Sequence, residues 1–85
     1  MNLPKTSELE IAVVSILSTY PNGLSVAEIL DEVILYFKLE PNCRYVLGNN
    51  GRPELSYRLG WARTHAKNQG LIERSQFGKW KIRIG

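Results

Sequence analysis

The sequence predicts a mainly α domain closed by a small β-hairpin, and three observations carry that prediction. Apolar residues recur at helical spacing in three separate stretches, each introduced by a helix-starting signal. Near the carboxyl terminus the pattern changes to strict alternation, with Trp80, Ile82 and Ile84 set against Lys79, Lys81 and Arg83. Basic residues concentrate in the third helical stretch and this hairpin. Three helices followed by a basic hairpin is the arrangement of a winged helix-turn-helix, with three helices and a two- or three-stranded wing. In such modules one helix meets a DNA groove and the hairpin meets the flanking backbone.

The chain has 85 residues, 44% of them hydrophobic, which is enough for one core but not for a core plus a deep substrate cleft. One domain spanning 1–85 is therefore expected. The single cysteine, Cys43, excludes an internal disulfide and cannot frame a zinc site, so a reducing compartment and a cytoplasmic location are expected. Residues 1–5 lack the apolar core of a signal peptide, and no apolar run approaches the length of a membrane span. The net charge of +3 is unevenly distributed. Through residue 40 there are two basic and six acidic residues, and from residue 41 there are nine basic and two acidic. The carboxyl-terminal half is thus the part suited to a polyanion.

The first helix is expected to be capped by Thr6 or Ser7, with Glu8 and Glu10 in its first turn, where the helix dipole favours negative charge. Leu9, Val13, Ile16, Leu17 and Tyr20 form its apolar stripe, and Pro21-Asn22-Gly23 ends it. Leu24 is an extended link that can join the hairpin as a third strand. Ser25 and Glu28 form a capping box for the second helix, which runs from about Val26 to Lys38. Val26, Ile29, Leu30, Val33, Ile34 and Phe37 are available to the core, while Glu28, Asp31 and Glu32 face outward. An acidic face repels phosphate, so this helix reads as scaffold.

Periodicity lapses over residues 39–51, where Pro41, Asn42, Gly48, Asn49, Asn50 and Gly51 are turn formers. Residues 43–47 fit either a short helical turn or an irregular packing segment. Arg44 and Arg52 bracket the loop, which either contacts phosphate beside the third helix or closes the core through Tyr45, Val46 and Leu47. Pro53 suits the first position of that helix. Leu55, Leu59, Ala62 and Ala66 form its buried stripe, and Ser56, Tyr57, Gly60, Arg63, Thr64 and Lys67 lie away from it. This outward set combines guanidinium, ammonium, hydroxyl and aromatic groups, the chemistry that meets base edges and phosphates. Gly60 either admits a close backbone or base, or packs against the wing. Trp61 lies about 160° from Leu59 on the helical wheel, so it is either half-buried under the hairpin or presented to a ligand. His65, the single histidine, reads as structural.

Gly70 stops the third helix. A strand follows from residue 71 to about residue 75, then a Gln76-Phe77-Gly78 turn and a return strand over 79–84, whose buried face would be Trp80, Ile82 and Ile84. The exposed cations Lys79, Lys81 and Arg83 also guard the edge against aggregation.

Arg52-Pro53, Leu59-Gly60-Trp61-Ala62-Arg63, Gln69-Gly70-Leu71-Ile72-Glu73 and Gly78-Lys79-Trp80 together resemble the amino-terminal winged-helix domain of Mrr-type restriction-system proteins, bacterial enzymes that cut modified DNA. The resemblance implies a reader of double-stranded DNA, with cutting done by a separate domain. The chain contains no nucleophile triad, no glycine-rich phosphate loop and no room for a nuclease core. A non-catalytic, cofactor-free and metal-free domain is therefore expected, monomeric in isolation, and either excised from a longer nuclease or free-standing. The expected DNA-binding residues are Arg52, Ser56, Tyr57, Gly60, Trp61, Arg63, Thr64, Lys67, Lys79, Lys81 and Arg83. The expected target is methylated DNA read through the major groove, with N6-methyladenine favoured over 5-methylcytosine. The alternatives are a protein-interaction winged helix and a small regulator of unmodified DNA.

Overall fold

Leu9, Ala12, Val13, Ile16 and Leu17 are buried along one side of the first helix, α1 (Thr6–Leu17), so its apolar stripe does face a core. The computed structural model describes residues 3–84. The cap of α1 is Lys5 rather than Thr6 or Ser7. The Lys5 backbone N–H donates to Glu8 Oε1 at 2.9 Å, so the acidic residue of the first turn closes the helix start without a hydroxyl cap. Tyr20 lies beyond the helix end and is exposed. Its hydroxyl donates to Glu32 Oε1 at 2.9 Å, tying the turn to the second helix instead of filling the core.

The turn after α1 depends on Gly23, which has φ 83°; a Cβ there would stand 2.6 Å from the Trp80 carbonyl oxygen. That close approach lets Leu24 reach the hairpin. The Leu24 N–H donates to the Trp80 carbonyl, and the Trp80 N–H donates to the Leu24 carbonyl, both at 2.8 Å. The third strand is thus a single bridge.

The second helix, α2 (Val26–Tyr36), begins with the expected box: Glu28 N–H donates to Ser25 Oγ at 3.2 Å, and Ser25 N–H donates to Glu28 Oε1 at 2.9 Å. Ile29, Val33 and Ile34 are buried, whereas Val26 is exposed at the helix mouth. The helix stops short of Lys38, which takes a positive φ of 54° in the turn. Residues 39–51 contain a 3-10 helix over Pro41–Tyr45. It delivers Cys43, not Tyr45, Val46 or Leu47, into the core; those three are exposed. Arg44 Nη2 donates to Asp31 Oδ1 at 2.7 Å, directing this cation to the acidic side of α2.

The third helix, α3 (Glu54–Asn68), has Pro53 at its cap, one position before the first turn. Leu55, Leu59, Ala62 and Ala66 are all buried, and α1 packs more extensively on α3 than on any other element. Gly70, with φ 77°, ends α3 in a Schellman motif, in which Leu71 N–H donates to Ala66 O at 3.0 Å and Gly70 N–H to Lys67 O at 2.9 Å. Strands β1 (Ile72–Arg74) and β2 (Trp80–Ile82) pair antiparallel with Ile72 opposite Ile82, Glu73 opposite Lys81 and Arg74 opposite Trp80. Ile72 is fully buried and Trp80 and Ile82 are partly so, but Ile84 is 88% exposed, because the regular ladder has ended before it. One apolar cluster therefore joins all three helices, Leu24, Cys43 and the hairpin. This is a winged helix with a short wing.

Candidate nucleic-acid interface

Because the buried stripe of α3 is complete, the opposite side of the helix is left to solvent. There Arg52, Ser56, Tyr57, Gly60, Trp61, Arg63 and Thr64 line one shallow, open depression. Arg52 comes from the turn ahead of α3, and the others recur along its outward face. Lys67 continues the same face one turn further, four residues after Arg63 and exposed.

Gly60 forms the open floor of this depression. A Cβ built on it would meet only Arg63 Nη2, at 3.8 Å, so Gly60 does not pack against the wing. Trp61 is 49% exposed, and its ring partner is His65, with centroids 5.9 Å apart, rather than the hairpin. Tyr57, 39% exposed, lines the depression alongside it. The Thr64 hydroxyl donates to Gly60 O at 3.0 Å, so its proton is committed to the helix while its lone pairs and methyl group stay available. His65 itself is exposed, with Nδ1 3.5 Å from Glu10 Oε2, and Gln69 Nε2 donates to the same carboxylate at 3.4 Å.

The charges separate by role. Arg44 is paired with Asp31. Arg58 is drawn into the fold: its Nε donates to Glu54 Oε2 at 2.6 Å, and its Nη1 donates to the carbonyls of Leu3 at 3.2 Å and Pro4 at 3.0 Å. Among the described residues, Arg52, Arg63, Lys67, Arg74, Lys79, Lys81 and Arg83 form no ion pair. Burial pushes the Arg63 guanidinium below its ordinary pKa, and the charge of Arg74 pushes it the same way.

A model of the Mrr N-terminal domain matches residues 7–83. The chain belongs to that family. No curated protein and no solved structure matches it.

In this Mrr N-terminal domain the wing cations do not all share the surface of α3. Side chains alternate along a strand, so Lys79 and Lys81 project with Glu73 from one face of the hairpin. They line a second depression with Pro21, Asn22 and Phe77. Lys79 also contributes to holding the Glu28 carboxyl below its usual range, although the hydrogen bonds with Ser25 are the larger cause. Arg83 lies near Gly70, where a Cβ would come 3.5 Å from its Nη1. The face toward α3 carries Trp80 and Arg74, with the Arg63 guanidinium carbon 6.0 Å from the Trp80 ring centroid. Sequence reasoning passed over both residues as site members. The alternation signal was present, but without the strand register it did not say that Arg74 stands opposite Trp80.

Cys43 is buried, and burial pushes its thiol up, away from reactivity. Among the described residues, no three His, Cys, Asp or Glu side chains are grouped to hold a metal ion, and no helix is long and apolar enough to cross a membrane.

Proposed function

We propose that this domain binds double-stranded DNA as the target-recognition module of a modification-dependent restriction system. The observation that carries the reading is the outward face of α3: a shallow depression with an open glycine floor, two partly exposed aromatic rings and two arginines without ion-pair partners among the described residues. An α-helix fits the major groove, and phosphate contacts from flanking elements fix its register there. In this reading Arg52, Arg63 and Lys67 contact phosphates or guanine edges. Ser56 and Thr64 contact bases, and Lys79, Lys81 and Arg83 hold the backbone beside the wing.

The methyl groups of N6-methyladenine and 5-methylcytosine both project into the major groove. Trp61 and Tyr57 offer apolar surface there that distinguishes a methyl from water, and the flat indole favours methyladenine. One buried methyl contributes only about 0.8 kcal/mol, so strong discrimination requires two symmetric methyls or several apolar contacts. A protein-docking reading rests instead on the acidic α2 and the hydrophobic loop around Tyr45, in which Leu35 of the helix and Tyr45 and Leu47 of the loop are 70%, 72% and 62% exposed.

Binding of the domain to matched duplexes, unmodified and methylated, at two salt concentrations tests these readings. Neutralising about five phosphates gives a slope of log affinity against log salt of about −4 to −5. Replacing Lys79 and Lys81 with alanine flattens that slope for all sequences alike; an unchanged slope removes both lysines from the interface. Absence of salt-sensitive duplex binding rejects the DNA reading in favour of protein docking.

A further inference from the structure

The junction of α3 and the wing contains an arrangement that helix packing does not require. Arg63 projects from α3 until its guanidinium carbon stands 6.0 Å from the centre of the Trp80 ring. Arg74 is the direct cross-strand partner of Trp80 and therefore projects from the same face of the hairpin. Arg63 and Arg74 thus stand on the side of the hairpin that carries one indole, close enough for the charge of Arg74 to act on Arg63. Glu73, the acidic residue beside Arg74 in the chain, projects from the opposite face of the strand. Neither arginine has a carboxylate within ion-pair distance among the described residues.

Two like charges brought together, with Arg63 half-buried and Arg74 exposed, are unfavourable unless an anion joins them. Arg58 shows the contrast within the same helix, since its guanidinium is satisfied by one carboxylate and two carbonyl oxygens. Arg63 is half-buried, and its charge is disfavoured first by that burial and then by Arg74. A guanidinium held over an aromatic face keeps its N–H edge free, and that edge matches two oxygens of a phosphate.

We propose that Arg63 and Arg74 form a phosphate clamp at the junction of helix and wing, holding a single phosphodiester between them with Trp80 as its wall. The clamp deepens the DNA-binding reading and rests on it for the identity of the anion as backbone phosphate. It assigns Arg63 to backbone positioning rather than base reading, and it gives the wing a DNA contact through its inner face, separate from the one formed by Lys79 and Lys81. Because the contact is to phosphate, it is indifferent to methylation.

Two measurements test the clamp. In the first, the wild-type domain is titrated with inorganic phosphate while the arginine Nε–Hε resonances are followed by NMR. The Arg63 and Arg74 signals are expected to shift together along one saturating curve while the Arg58 signal stays fixed. Failure of the two to move, or movement of every arginine alike, overturns the clamp without reference to DNA. In the second, duplex binding is measured against salt for wild type, Arg63→Ala, Arg74→Ala and the double variant. Arg74→Ala is expected to reduce the slope by up to about one phosphate, to weaken methylated and unmodified duplexes by the same factor, and to leave the amide spectrum folded. The double variant is expected to lose less than the product of the two single losses, because both side chains serve one phosphate. Wild-type-like affinity and slope in Arg74→Ala, or losses that multiply, overturn the clamp while the DNA reading stands. If wild type binds no duplex but the two resonances still saturate together with phosphate, the DNA reading falls and the anion site remains.

Discussion

Replacing Gly60 with alanine separates fold from function at one atom. Gly60 lies in the middle of α3, outside the set of residues with positive φ, so alanine can adopt its backbone without strain. The added methyl would meet only Arg63 Nη2, at 3.8 Å, an ordinary van der Waals contact. With no clash to offset it, the helix-propensity difference of about 1 kcal/mol between glycine and alanine is expected to appear as added stability. For a domain of this size that corresponds to a rise in Tm of about 4–8 °C. The same methyl rises from the floor of the depression lined by Tyr57, Trp61 and Arg63. If a duplex approaches there closely, affinity should fall about tenfold, on the order of 1.4 kcal/mol. Thermal unfolding followed by circular dichroism and duplex binding by fluorescence anisotropy read the two effects on one sample. A more stable variant that binds DNA as well as wild type removes Gly60 from the interface. A less stable variant contradicts the open floor itself.

Three further outcomes are expected. Trp61→Ala, which removes a half-exposed ring, should leave the domain folded and its salt-dependent binding to unmodified duplex largely intact while erasing preference for methylated duplex; retained preference in a folded variant locates methyl reading elsewhere. Arg58→Met should destabilise the fold by about 1–2 kcal/mol in chemical denaturation, since it strips a hydrogen-bonded partner from Glu54 and two donors from the Leu3 and Pro4 carbonyls; DNA affinity of the folded fraction should be unchanged. The pH dependence follows from Glu28, whose carboxyl is held below its ordinary pKa by hydrogen bonds with Ser25. A folded pKa below the unfolded one means the contribution is present above the unfolded value and lost as pH falls through the folded value. Ser25→Ala should therefore lower stability at neutral pH and make its decline with acid shallower, as followed by Tm against pH.

Local rules carried the sequence reading a long way where each element had its own punctuation. The buried stripes of α1 and α3, the Ser25–Glu28 box, the Gly70 stop and the hairpin all follow from residue spacing and terminal signals. The reading failed where tertiary context decided. Tyr20 and Val26 sit at the right helical phase but at helix ends, where the core no longer reaches them. Ile84 keeps the alternation of β2 after its partner strand has run out, so phase no longer means burial. Cys43 enters the core from a 3-10 turn with no repeating pattern to announce it. The outward face of α3 was legible as a helical face, and six of its predicted residues, with Arg52 from the turn ahead of it, line one depression. The division of the wing cations between two faces depends on register, which pairs Arg74 with Trp80 and Glu73 with Lys81.

Mapping the amide resonances of the domain on titration with an unmodified DNA duplex at low salt tests the central claim most directly. The account predicts that Ser56, Tyr57, Gly60, Arg63 and Thr64 shift most, together with Arg74 and the residues of the wing, and that the acidic side of α2 around Asp31 stays still. Shifts centred on Leu35, Tyr45 and Leu47, or none at all, would contradict it.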